Sequence, residues 1–89
     1  MCMQFGQKYV LRDGVNKELL NILFPNNQIE QYGIILINME EKTYRDSDNL
    51  EHRNIIQNYV FTYTVANNKT MVGALIHDGF NYFFQEATE

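Results

Sequence analysis

The chain reads as one α+β domain over residues 1–89, with a mostly antiparallel sheet of about five strands, one principal helix packed on one face and a C-terminal three-stranded meander. Three observations predict it. Asp78-Gly79 lies between two apolar, alternating runs, the strongest short-range hairpin signal that a sequence carries. Val15, Leu19, Ile22 and Leu23 recur at helical spacing ahead of Pro25, which stops a helix. Tyr32-Gly33-Ile34-Ile35-Leu36-Ile37 is too short for an independent helix and rich in β-branched residues.

Taken in chain order, Lys8-Tyr9-Val10-Leu11 is a short β-prone run closed by turn chemistry at Arg12-Asp13-Gly14. A helix over residues 15–24 comes next, with Asp13 as the expected N-cap and Lys17, Glu18 and Asn21 on its wet side. Asn26-Asn27 reads as a loop. The run at residues 32–37 is expected to be a central strand covered on both faces. Residues 38–41 can turn the chain, and Lys42-Thr43-Tyr44-Arg45 can return as an edge strand guarded by its charges. Residues 46–49 read as a polar loop, and residues 50–58, whose apolar spacing fits period 3.6 poorly, as a loop or a single helical turn.

Residues 59–65, 70–76 and 80–85 complete the meander, joined at Asn67-Asn68 and Asp78-Gly79, both suited to the positive φ of a tight turn. Two-residue loops would set Ala74 opposite Phe61 and Phe83, and Leu75 opposite Val60 and Tyr82. One face then gathers Tyr59, Phe61, Tyr63, Val72, Ala74, Ile76 and Phe83, covered by Val15, Leu19 and Leu23 of the helix. The other gathers Val60, Thr62, Thr64, Met71, Gly73, Leu75, Tyr82 and Phe84, with His77 and Phe80 at the hairpin end. Leu75, Phe80, Tyr82 and Phe84 are left partly bare, and an exposed apolar patch on a small protein marks an interaction surface. In the alternative packing, the N-terminal strand and the segment around Leu50 fold over that face.

Composition narrows the function classes. Seven Lys and Arg against eleven Asp and Glu give a net charge of −4, and the cations are scattered. Nucleic-acid binding draws on counterion release at a basic stripe, so direct contact with nucleic acid is not expected. The start Met1-Cys2-Met3-Gln4 lacks signal-peptide character and no apolar run approaches a bilayer span, so a cytoplasmic protein without membrane contact is expected. The single Cys2 fits a reducing compartment.

Motifs for chemistry are sparse. The five glycines are isolated from one another, so no phosphate-cradling loop is formed. Cys2, His52 and His77 stand far apart, short of a zinc set, and no cofactor is expected. Asp46-Ser47-Asp48-Asn49 begins like a calcium loop, yet Leu50, Glu51 and Gln57 stand where the pattern needs an oxygen ligand, a glycine and a glutamate.

These features point to a small acidic non-enzymatic protein-binding module, such as an inhibitor carried by a phage or other mobile element that occludes its partner. His77, Phe80, Tyr82 and Phe84 would be its anchors, because aromatic side chains bury much area at little entropic cost. Glu40, Glu41, Asp46, Asp48 and Glu51 would steer a partner with a basic surface. One alternative is an oligomeric sequestering binder of a small nucleotide or other ligand, with aromatic residues of two protomers stacking on a base and Arg45, Arg53 or Lys69 on phosphate. Another is a small hydrolase using His52 and His77. A homo-oligomer formed through an open sheet edge is compatible with the first two.

Overall fold

The computed structural model describes residues 5–46 and 49–87, and of residues 42, 44–46 and 49–54 the backbone alone. It is an α+β fold built on one five-stranded antiparallel sheet. The strands are β1 (Lys8–Leu11), β2 (Ile34–Asp46), β3 (Asn49–Val65), β4 (Lys69–Ile76) and β5 (Phe84–Glu86), in spatial order β4-β3-β2-β1-β5. Three short helices, α1 (Lys17–Leu23), α2 (Ile29–Tyr32) and α3 (His77–Phe83), take the place of the single helix expected.

The core fills one face of the sheet. Tyr9, Ile34, Leu36, Tyr59, Phe61, Tyr63 and Phe84 point into it from the strands, while Leu20 and Phe24 enter from α1 and its C-cap, Ile29 from α2, and Phe80 and Phe83 from α3. Phe61 is the hub: its ring stands edge-on to Phe24 at 5.5 Å and to Phe84 at 5.5 Å, and tilted to Phe80 at 6.1 Å. Such pairs add about 0.5–1.5 kcal/mol each beyond the area they bury. Gly73 of β4 admits this packing, because a Cβ there would lie 2.9 Å from Phe24 and 3.1 Å from Phe61. Gly33, at φ +72° and ψ −159°, turns α2 into β2 in a region that side chains avoid.

The ribbon of β2 and β3 is the largest element. Pairing runs from Ile34 opposite Tyr63 to Asp46 opposite Asn49, so the turn expected at residues 38–41 does not occur and residues 50–58 are strand rather than loop or helix. A bulge between Leu36 and Asn38 inserts one residue. It shifts the alternation by one, so Leu36 is buried, Ile37 and Asn38 are exposed, and Met39 packs back on the core. Without it, a strand this long would turn its apolar set away from the helices. Beyond Glu41 and Gln57 the two strands, among the described residues, pair only with each other, and the molecule is 46 Å long. Its radius of gyration of 14.7 Å exceeds the roughly 12 Å of a compact chain this size. Of the loop expected at 46–49, Asp46 and Asn49 are strand residues, and residues 47–48 lie outside the described ones.

α1 starts two residues later than expected. Asn16, not Asp13, is the N-cap, its side chain accepting from the Leu19 N–H at 3.0 Å. Its buried residue is Leu20, with Phe24 next at the C-cap, while Leu19, Ile22 and Leu23 are exposed and Val15 packs partly on the core. The i, i+4 pair 20/24 meets the aromatic cluster because Phe24 fits between Phe61 and Tyr63. Asn26, at φ 61°, turns the chain as expected, and Tyr32 belongs to α2 rather than to the adjoining strand.

The meander is corrected in two places. First, the β3–β4 loop has three residues, Ala66–Asn68, closed by Val65 opposite Lys69. Thr64 and Ala66 direct backbone groups to Gln28 and Asn26, at 2.8 and 3.0 Å, so the closing pair facing β4 falls on Val65. That one-residue slip sets Ala74 opposite Val60 and Leu75 opposite Tyr59, and exchanges the faces assigned to every β4 side chain. Second, Asp78-Gly79 forms no hairpin. Gly79 is not at positive φ, residues 77–83 are α3, and β5 pairs with β1 rather than with β4. Phe80, Phe83 and Phe84 are all buried, and the spacing i, i+3, i+4 is helical, whereas an alternating strand would select Phe80, Tyr82 and Phe84.

Candidate functional site

Two surface features stand out, a cleft at the end of β4 and the sheet face opposite the helices. The cleft, about 430 Å³, is lined by Ile55, Ile56 and Gln57 of β3, Ile76 of β4 and His77 and Asp78 of α3. His77 is fixed in its wall. Its Nδ1 lies 2.7 Å from the Tyr59 hydroxyl, its Nε2 lies 3.0 Å from Asn81 Nδ2, and its ring stands edge-on to that of Tyr59. One proton pattern satisfies every member: Asn81 donates to Nε2, Nδ1–H donates to the Tyr59 oxygen, and the Tyr59 hydroxyl donates to Gln57 Oε1 at 3.4 Å. Burial raises the Tyr59 phenol above its ordinary range, which keeps it a donor. Tyr9 is raised for the same reason, with the Glu86 carboxylate and Tyr59 adding to the effect. Its hydroxyl is buried without a hydrogen-bond partner.

The opposite sheet face carries Val10 and Lys8 from β1, Ile35, Ile37, Asn38 and Glu40 from β2, Asn58, Val60, Thr62 and Thr64 from β3, and Thr70, Val72, Ala74 and Ile76 from β4. Every buried helical side chain belongs to the core on the first face, so among the described residues none covers this one. Ile35 is 37% exposed, Ile37 42%, Ile76 51% and Val72 64%.

Of the expected anchors, Phe80 and Phe84 are 0% and 1% exposed, so they are core residues and cannot meet a partner without unfolding the domain. Tyr82 is 46% exposed, with its hydroxyl accepting from the Asn16 N–H at 2.9 Å, and His77 is exposed in the cleft wall. α3 separates these four side chains where a strand would have aligned them. Glu40 and Glu41 are exposed on opposite faces of β2. Asp48 lies outside the described residues, as do the side chains of Asp46, Glu51, Arg45, His52 and Arg53. Lys69 is exposed at the start of β4.

The aliphatic face escapes a reading of the sequence in which residues 34–37 are covered on both sides. The alternation of Tyr59, Phe61 and Tyr63 with Val60, Thr62 and Thr64 carries the correct signal, large aromatic residues inward and smaller β-branched ones outward. No family model matches the chain, and no curated protein or solved structure is significantly similar to it. No helix among the described residues is long and apolar enough to cross a membrane.

Proposed function

We propose that the protein is a non-catalytic protein-binding module that docks its uncovered aliphatic sheet face on a partner and acts by occluding it. The observation that supports this is the contrast between the two faces: one is closed by three helices, the other leaves Ile35, Ile37, Val72 and Ile76 between 37% and 64% exposed. Scattered apolar side chains are ordinary on a small protein, whereas several half-exposed ones on a single sheet face, here in rows shared with Thr62 and Asn58, favour an interaction surface. Lys8 and Glu40 both stand on this face, and the net charge of −4 over the whole chain favours a protein partner with an apolar patch and a basic surface.

The cleft at His77 fits the nucleotide reading less well, because its lining supplies a carboxylate at Asp78 and phosphate needs cations. Both His77 ring nitrogens lie within hydrogen-bond distance of neighbouring side chains, which makes the imidazole part of a polar wall. The test is affinity capture with the wild-type chain against Ile35→Glu and Ile37→Glu variants. A partner held by the wild type and lost by both variants, with folding intact by circular dichroism, is expected. A partner retained equally by all three, or none retained by the wild type, overturns the reading.

A further inference from the structure

We infer that the free edge of β4 pairs with β4 of a second copy of this chain, antiparallel about a two-fold axis at Gly73, with Lys69 of each copy entering the cleft of the other beside Asp78. Among the described residues β4 is one end of the sheet and pairs only with β3. At the other end β5 is three residues long, and the open stretches of the ribbon carry charges along the sequence, from Glu40 to Asp46 and from Glu51 to Arg53. Such short or charged edges resist pairing with another chain. β4 has eight residues, no proline and a single charge, Lys69. Met71, Val72 and Ile76 on it are 47%, 64% and 51% exposed.

The choice of a second copy rests on the order of residues. Because Val65 opposite Lys69 closes the hairpin, the odd-numbered residues of β4 turn their backbone groups to β3, and Thr70, Val72, Ala74 and Ile76 turn theirs to the open edge. A two-fold axis normal to the sheet keeps each face continuous, so paired residues must share a face and an axis on Gly73 is permitted. The pairs are then Val72 with Ala74, Thr70 with Ile76 and Met71 with Leu75, apolar contacts except for one threonine. Gly73 meets its own copy in the close, non-hydrogen-bonded position that the smallest residue suits.

Charge fixes the register. The same pairing sets Lys69 of one copy opposite His77 of the other, at the mouth of the cleft whose carboxylate is Asp78. Two symmetric Lys69–Asp78 pairs therefore form, locally offsetting the repulsion between two chains of charge −4. An axis moved to Val72 would set Lys69 against Leu75 and leave the cleft empty.

Sedimentation equilibrium of the full-length chain, up to roughly 1 mM, tests the assembly separately from any partner bound by the bare face. A dimer is expected. Val72→Pro removes an outward N–H without touching the β3 pairing and is expected to weaken the dimer by more than about tenfold. Lys69→Glu and Asp78→Lys are each expected to weaken it by about tenfold, and the double variant to recover most of the loss. Should Val72→Pro fail to fold, the charge exchange decides. A wild-type monomer at every concentration, a dimer indifferent to Val72→Pro, or a double variant no better than the singles overturns the inference.

Discussion

The two ends of β4 carry nearly the same local message and obey it differently. Asn67-Asn68 and Asp78-Gly79 are both dipeptides that favour a tight reversal, and both come after a β-prone run. At the first end the reversal forms, with Asn67 at φ 68° and Asn68 at φ 58°. At the second, the chain leaves the sheet as α3 and returns as β5 on the far edge, beside β1. The difference lies in the residues C-terminal to each dipeptide. Lys69 to Ile76 has no aromatic residue to bury, so pairing with β3 decides its conformation. Phe80, Phe83 and Phe84 have three rings to bury, and only a helical turn leading into a strand brings all three to the Phe61 cluster. Turn propensity is worth about 1 kcal/mol, whereas burying one phenylalanine contributes about 1.5–3 kcal/mol, so the rings prevail.

This comparison breaks most sharply at Phe80. Phe80→Ala removes a ring in contact with Tyr9, Tyr59, Phe61 and Phe84, and a loss of about 3–5 kcal/mol is expected in chemical denaturation. An exposed anchor at this position would lose almost nothing. The dipeptides themselves give smaller effects of opposite sign. Asn67→Ala keeps the left-handed backbone but removes the side-chain amide that makes it tolerable, and is expected to cost about 1 kcal/mol. Gly79→Ala is expected to stabilise by about 0.5–1 kcal/mol, because Gly79 is helical and a Cβ there meets nothing closer than Leu75 at 3.7 Å. A lower denaturation midpoint for Gly79→Ala would instead indicate a hairpin glycine.

The smallest effect concerns pH. The Tyr9 and Tyr59 phenols are raised in the folded chain, so the native state holds those protons more tightly than the unfolded state does. Their contribution is complete below the unfolded value of about 10 and is lost as the pH rises above it. Melting temperatures should therefore fall as the pH rises above about 10. Tyr9→Phe, which also removes a buried hydroxyl without a partner, is expected to be neutral or stabilising at neutral pH and to flatten that fall.

The ribbon of β2 and β3 shows why other elements are hidden in the sequence. Near the sheet it is flanked by β1 and β4 and filled by Ile34, Leu36, Phe61 and Tyr63, and there the apolar residues mark the strands by composition alone. Further out it is only two strands wide, with Glu41, Thr43 and Gln57 in place of the core residues, so neither alternation nor turn chemistry announces a strand. The bulge at Leu36 and Asn38 is invisible for a related reason: a single extra residue looks like an end of alternation, which gives residues 38–41 the look of a turn. His77 stands out in the sequence as a residue of note, but its neighbours in space, Tyr59, Gln57 and Asn81, come from two elements whose crossing no local pattern announces.

Local composition by itself determined the α+β class, the antiparallel sheet, the strand at Lys8–Leu11, the presence of a helix ahead of Pro25 and the reversal at Asn67-Asn68, since each depends on residues within a turn or two of one another. Tertiary structure alone decided the register of β4, the face that each of its side chains takes, the helix at Asp78-Gly79 and the pairing of β5 with β1. Those outcomes turn on backbone groups at Asn26 and Gln28 and on the rings around Phe61, partners remote in sequence whose burial outweighs the local preferences they override.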